Sequence, residues 1–323
     1  MSAVPLQKFL PQASPLVLGC MGLGGGWDTQ PLTDLDVDKA QAATEAALAA
    51  GITLFDHANI YTLGKAEESF GRLFQRQPSL RHSLLLQSKC GIRFADGEGP
   101  KRYDLSAQHI VESVDAILRR LQTDYLDVLI LHRPDPLMQP AEVAQAWQQI
   151  KAAGKARFLG VSNMHAAQVG WLQQALDEPL VVNQLEMSLL KRDWLEAVTC
   201  FNDGQGASSL AWDGTLEYAQ QHGLQLQAWG ALARGWFSGA APADAPAAVR
   251  HTAGCVAKLA QAHGVSNESI VLAWLMQHPA RIQPVIGTTD PQRIRACAQA
   301  TQVTLSRGAW YQLYEAARGR ELP

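Results

Sequence analysis

Four side chains in the first 132 residues are of the kinds that move protons: Asp56 and Tyr61 in FDHANIY (55–61), Lys89 closing LLLQSK, and His132 closing VLILH. A tyrosine hydroxyl titrates near 10 and is a weak proton donor at neutral pH. A neighbouring ammonium stabilises the phenolate and lowers that value; a shift of two units takes about 2.7 kcal/mol, which a close, poorly solvated charge can supply. Lys89 is of the type to do this, Asp56 to keep Lys89 charged and fixed, and His132 to orient a substrate oxygen by a hydrogen bond. The set suits protonation of a developing alkoxide. Each member alone has an ordinary reading: an aspartate after a strand is commonly a helix N-cap, and a histidine before RPDP can satisfy loop carbonyls. Lys89 is harder to place that way, because a lysine at the inner end of a buried strand is costly unless paired.

The elements that would position these residues are legible as apolar runs. Candidate strands are Leu16 to Gly19, Thr53 to Asp56, Leu84 to Lys89, Val128 to His132, Phe158 to Val161, Val181 to Gln184, Leu226 to Trp229 and Pro284 to Ile286. Segments of helical period lie between them. Val37 to Ala50 carries an apolar face with Gly51 as its stop, and Ser106 to Leu121 has a serine cap and an i, i+4, i+7 stripe. Pro140 to Ala153 opens on proline and closes on Gly154, and Ser266 to Gln277 and Arg307 to Ala317 are further helices. Near-continuous apolar strands alternating with helices predict an α/β fold with a parallel sheet buried on both faces; a closed (β/α)8 TIM barrel, one domain over residues 1–323, is the simplest solution. An open doubly wound sheet is the alternative, but GLGGGW (22–27) puts Trp27 at the third glycine of the dinucleotide motif and no helix follows directly. In the barrel, polar residues at strand ends converge on the C-terminal rim. Two irregular stretches, 93–103 and 191–213, join that rim; the second, with Trp194 and Trp212, reads as a pocket lid.

Composition removes other classes. The 323 residues are 47 % hydrophobic, and 27 Lys plus Arg against 30 Asp plus Glu give a net charge of -3 with no basic block. Nucleic acid and anionic membranes are therefore not expected partners. Five scattered cysteines without a CxxC pair fit neither a disulfide framework nor a zinc site, so no metal is expected. No apolar stretch approaches eighteen residues, and a cytoplasmic protein is expected.

The same residues resemble the aldo-keto reductases. DHANIYTLGKAEESFG (Asp56 to Gly71), with Glu67 and Gly71, LQTDYLDVLILHRPD (Leu121 to Asp135) and GKARFLGVSN (Gly154 to Asn163) are similar to that family's strings, and the resemblance covers nearly the whole chain. HRPDPLM (132–138), SKCGI (88–92) and DGTLEYAQQ (213–221) resemble a bacterial, YdhF-like branch. The resemblance implies a barrel that binds NADPH in extended form and reduces aldehydes or ketones reversibly, with Tyr61 as general acid, Lys89 and Asp56 as its tuning pair and His132 orienting the carbonyl. Family members that reduce a carbon-carbon double bond carry glutamate in place of this histidine, so His132 implies carbonyl reduction. It also implies that Ser162, Asn163 and Gln184 hold the nicotinamide carboxamide and that Trp229 stacks on the ring. Met21, Gly230, Leu232 and Gly235 would then lie along the cofactor, with Gly287, Thr288 and Arg293 at the 2′-phosphate. Here Trp229 stands for the usual tyrosine or phenylalanine and Ala231 for proline. Gly287 replaces a common lysine, and Ala296 and Cys297 a glutamate and asparagine, which bears on NADPH against NADH.

Trp27, Asn59, Met138 and Trp212 are candidates to line a mainly apolar substrate pocket for aromatic or aliphatic carbonyls, and a monomer is expected. Two other functions fit the same residues: a nicotinamide-binding regulatory barrel that turns over slowly, and a lyase in which Lys89 forms a Schiff base.

Overall fold

All eight expected strands form. In the computed structural model, which describes residues 3–200 and 214–323, they are β1 (Val17–Gly19), β2 (Leu54–Asp56), β3 (Leu85–Cys90), β6 (Leu126–Leu131), β7 (Ala156–Ser162), β8 (Val182–Glu186), β9 (Gln225–Trp229) and β10 (Gln283–Ile286). All neighbouring pairs are parallel, and the order β1-β10-β9-β8-β7-β6-β3-β2 closes on itself, which makes a (β/α)8 barrel and removes the open-sheet alternative. Strand ends differ from the expected ones by one or two residues: His132 lies just beyond β6, while β7 reaches Ser162.

The outer layer contains α1 (Asp34–Ala49), α2 (Lys65–Arg76), α3 (Ala107–Leu121), α4 (Pro140–Ala152), α5 (Ala166–Gln173), α6 (Asp193–Thr199), α7 (Thr215–His222), α8 (Ala247–His263), α9 (Asn267–Met276), α10 (Pro291–Ala298) and α11 (Arg307–Arg318). The expected caps hold where they were legible: the Ser106 side chain accepts from His109 N, and Ser266 from Ser269 N. Gly71 has a packing reason. A Cβ there would collide with the Arg120 carbonyl oxygen, so glycine lets α2 lie directly on α3.

The first rim stretch is a short antiparallel hairpin, β4 (Ile92–Arg93) with β5 (Arg102–Tyr103), held by ion pairs from Arg93 and Arg102 to Asp96 and Glu98. Of the second, residues 191–200 are described and contain α6. Trp194 is not a lid residue: it is fully buried, edge-on to Trp274 (5.7 Å) and His278 (5.3 Å), with its indole N–H donated to Lys191 O. An indole of that size gains more by entering the helical layer than by covering a cleft. Trp212 lies outside the described residues.

Two apolar clusters divide the interior. The larger lies between barrel and helices; the smaller fills part of the barrel itself with Leu54, Leu85, Val128, Val182 and Val285, joined by Leu6 and Leu10 from the N-terminal segment. All five cysteines are free and buried. Among the described residues no helix is long and apolar enough to cross a membrane.

Candidate active site

The chain continues to pair after β2: His57 N donates to Gln87 O (2.8 Å) and Asn59 N to Lys89 O (3.0 Å), which keeps the segment against β3 until Tyr61. There the backbone turns through three left-handed residues, Thr62 (φ 47), Leu63 (φ 61) and Gly64 (φ 92). A left-handed conformation at two non-glycine residues in succession costs on the order of 1–3 kcal/mol each, and the Thr62 hydroxyl, bonded to Leu23 O at 2.9 Å, helps to hold it. The turn presents the Tyr61 hydroxyl to Lys89.

Lys89 Nζ makes three hydrogen bonds: to Asp56 Oδ2 (2.7 Å), His57 O (2.8 Å) and Tyr61 OH (3.0 Å). All three ammonium protons are therefore engaged. Asp56 is no helix cap, because its other oxygen accepts from Gln87 Nε2 (2.6 Å) and Gln184 Nε2 (3.1 Å). His132 stands across from Tyr61 with ring centroids 6.1 Å apart and nearly perpendicular planes, and its backbone N–H donates to Cys90 O (2.9 Å). Three strands and one turn thus bring Asp56, Tyr61, Lys89 and His132 together.

The charges respond to the burial. Desolvation works against the Lys89 ammonium, but Asp56 and then Tyr61 more than offset it, so Lys89 sits above its ordinary value. Burial pushes the Tyr61 phenol up and Lys89 pulls it down; burial prevails. The expected lowering of Tyr61 is thus reversed in the free protein. The phenol is held protonated, and the phenolate gains full benefit from Lys89 only against the cost of an apolar surround. His132 is held neutral, pushed down to about 2 by burial, then by Lys89, Arg133 and Lys101. A neutral imidazole has one N–H to give.

Behind Lys89 lies a buried Glu67, whose oxygens bond Ser88 Oγ (2.5 Å) and Arg120 Nε (2.7 Å); this accounts for the glutamate of the DHANIYTLGKAEESFG string. His57 is fully buried edge-on to Phe70 (4.4 Å), and burial, then Lys89, lowers it to about 3. It is a wall of the site and keeps no charge.

The residues expected to hold the nicotinamide gather on the adjoining side. Ser162 Oγ donates to Gln184 O (2.8 Å) and accepts from Asn163 Nδ2 (2.7 Å); Asn163, at φ 59, accepts the Trp229 indole N–H (3.1 Å). Gln184 spends its Nε2 on Asp56 and Gln227, while its Oε1 has no partner among the described residues and suits the amide protons of a carboxamide. Gly230 (φ 67) and Gly235 (φ 78) bracket Leu232 in a glycine-permissive loop after Trp229. A Cβ on Gly235 would stand 3.8 Å from Arg293 Nη2, which places that guanidinium beside the loop, tethered to Glu268 Oε1 (3.3 Å). Thr288 Oγ1 accepts from Asp290 N, Gly287 faces open space, and Met21 is exposed after β1. A backbone cradle, a stacking ring and a phosphate-type arginine fit an extended nicotinamide dinucleotide.

Of the pocket candidates, Trp27 is 53 % exposed on the mouth, and Asn59 Oδ1 and His132 Nδ1 are buried without partners. Met138 is a core side chain, withdrawn into the larger cluster. Sequence reasoning passed over Arg133. Its guanidinium lies 5.7 Å from the centre of the Trp229 ring, next to His132, and donates no hydrogen bond among the described residues. The signal was present in HRPDP, where attention went to the histidine.

The barrel and this polar set define an NAD(P)H-dependent oxidoreductase. The chain belongs to the Aldo/keto reductase family, whose model matches residues 15–318. It is 36 % identical over 316 residues to a 6-dehydroglucose reductase of Agrobacterium fabrum, covering 96 % of each chain. It is 34 % identical over 281 residues to oxidoreductase YdhF of Escherichia coli, covering 86 % of this chain and 87 % of that one. The glycerol dehydrogenase of Gluconobacter oxydans, 23 % identical, superposes with a TM-score of 0.78 over 95 % of this chain and 92 % of its own, a likeness of fold.

Proposed function

We propose that the protein is an NADPH-dependent reductase of aldehydes and ketones, a single catalytic unit acting as a cytoplasmic monomer. The observation that carries the reading is the Lys89 ammonium bonded at once to Asp56 (2.7 Å) and to the Tyr61 hydroxyl (3.0 Å). A bound reduced nicotinamide supplies the hydride. His132, neutral, donates its N–H to the carbonyl oxygen and fixes its direction. Tyr61 gives its proton to that oxygen as negative charge develops there, and the ammonium beside it stabilises the phenolate left behind. Asp56 keeps Lys89 in place through this change. With the cofactor bound, Ser162, Asn163 and Gln184 would hold the carboxamide, Trp229 would pack on the ring and Arg293 would take the 2′-phosphate.

A Schiff-base role for Lys89 fits poorly. It needs a free, uncharged amine, and this one is charged above its ordinary range with every proton engaged.

Two observations direct the choice of substrate. Trp27, Leu63, Phe94, Tyr103 and Leu137 are exposed on loops that leave the C-terminal ends of strands, an apolar lip suited to aromatic or aliphatic bodies. The Agrobacterium relative named for 6-dehydroglucose adds sugar aldehydes to the candidates. A panel of aromatic, aliphatic and sugar aldehydes assayed with NADPH and with NADH tests the proposal. Multiple turnovers with NADPH are expected; single-turnover oxidation across the whole panel would instead make the chain a nicotinamide sensor. Arg293→Ala is expected to raise KM for NADPH much more than for NADH, and equal changes would move the phosphate contact elsewhere.

A further inference from the structure

Inside such barrels the layers are ordinarily filled by branched apolar side chains. Here one level is built of amides. Gln87, Gln184, Gln227 and Gln283 are all buried. Strand register sets Gln184, Gln227 and Gln283 side by side on β8, β9 and β10, and Asp56 beside Gln87 on β2 and β3.

Gln227 is the hub, and its four hydrogen-bonding positions are all used. Its Oε1 accepts from Gln87 Nε2 (2.8 Å) and Gln184 Nε2 (3.1 Å); its Nε2 donates to Gln87 Oε1 (3.0 Å) and Gln283 Oε1 (2.9 Å). Gln283 Nε2 ends the series on Ser14 O (2.6 Å). The direction of every amide follows from one group. A carboxylate only accepts, so Gln87 and Gln184 must offer Nε2 to Asp56. Gln227 must then offer them its oxygen, return one N–H to Gln87 Oε1 and give the other to Gln283, which must receive it and pass its own NH2 to the backbone. A buried amide left unpaired costs on the order of 1–3 kcal/mol, so no member can rotate alone.

We infer that Gln87, Gln227 and Gln283 are positioning residues for the reaction: a series of amides of fixed orientation locks the Asp56 carboxylate so that Oδ2 faces Lys89, which sets the ammonium beside Tyr61. The inference rests on Tyr61 being the proton donor. It separates the geometry of the charged pair from the loops that receive substrate, since none of these three glutamines leaves the barrel interior.

Gln227→Met replaces the hub by an unbranched apolar side chain without touching Asp56, Lys89 or Tyr61. Loosening Asp56 frees Lys89, and the phenolate loses stabilisation. In the free protein, tyrosinate absorbance near pH 10.5, taken against the Tyr61→Phe variant, is expected to fall, with a midpoint higher by about half a unit or more. In turnover, kcat is expected to drop about tenfold and the basic limb of its pH profile to move upward, with carbonyl KM changed about twofold at most. Gln283→Met, one step farther out, should show the same changes at smaller size. A lower Tm with unaltered tyrosinate signal, kcat and pH profile in both variants would make the amides structural only and overturn the inference. If Gln227→Met does not fold, Gln283→Met decides alone by the same readings. Absence of turnover in the parent protein would overturn the reductase reading instead, and the tyrosinate signal would still judge the amides.

Discussion

Strands β2, β3 and β8 each carry two inward residues two positions apart whose chemistry is opposite: Leu54 then Asp56, Leu85 then Gln87, Val182 then Gln184. The earlier residue of each pair belongs to the apolar cluster that Leu6 and Leu10 close from the N-terminal side. The later one belongs to the polar level under Tyr61. Both regions are equally buried and sit on the same strands, so burial alone does not separate them. What differs is how each is stabilised. The apolar cluster is held by dispersion and exclusion of water, which tolerate exchange among residues of similar volume. The polar level is held by directed bonds around an ion pair, which tolerate almost none. Damage to the first should appear as lost stability, and damage to the second as lost chemistry or an uncompensated charge.

Tyr61→Phe tests the polar side at its extreme. It removes one hydroxyl, and carbonyl reduction is expected to fall on the order of a thousandfold while NADPH affinity, read by fluorescence quenching, stays within about twofold. Full activity would place the proton donor elsewhere. Lys89→Met leaves Asp56 buried without its counter-charge, and chemical denaturation should show a loss of about 3–5 kcal/mol. Combining it with Asp56→Asn should recover part of that loss; no recovery would mean that the pair is not the unit of cost. On the apolar side, Leu54→Ala should lower stability by about 2–4 kcal/mol, measured by urea unfolding, with kcat at low temperature unchanged. A large fall in kcat there would erase the distinction between the regions. At neutral pH the smallest effect belongs to His57, which acts only in acid. Held near 3 when folded and near 6.5 when unfolded, it stays neutral in the native state while the unfolded chain takes up a proton. Its contribution to stability is therefore complete above pH 6.5 and lost as pH falls toward 3, at up to about 1.4 kcal/mol per pH unit. His57→Leu should flatten that slope between pH 6 and 4, about the range where the two states differ in charge.

Much of this was legible in the sequence because the barrel strands are apolar runs, and a carboxylate, an ammonium or an imidazole at the end of such a run is conspicuous. Lys89 was the strongest signal, since burial of an ammonium demands a partner and Asp56 was the available one. Less legible was anything that depends on who stands opposite across the barrel. Gln87 and Gln227 lie within LLLQSK and LQLQAW, but they are 140 residues apart, and a lone glutamine in a strand reads as an outward residue. The direction of the Tyr61 shift was misread for a related reason: the attractive charge could be inferred from type, while the desolvation opposing it depends on packing from several elements. Trp194 was assigned to a lid because its neighbours in sequence are irregular, although its ring contacts, Trp274 and His278, lie on α9 and just after it. Helices α2, α5, α6, α7, α8 and α10 were not among the expected elements, although Asp290 caps α10 by accepting from Gln292 N and Arg293 N and α2 buries a stripe of Ala66, Phe70, Leu73 and Phe74.

The five buried thiols give the molecule a built-in gauge of its own opening. Burial pushes Cys20 well above its ordinary range and Cys90 up to about 12, so a folded molecule presents almost no thiolate at either position. Those two sulfurs flank the barrel mouth, at the ends of β1 and β3, whereas Cys255 and Cys297 lie in α8 and α10 of the outer layer. Alkylation followed site by site would therefore clock the breathing of the catalytic rim separately from that of the helical shell, without adding a single label to the chain.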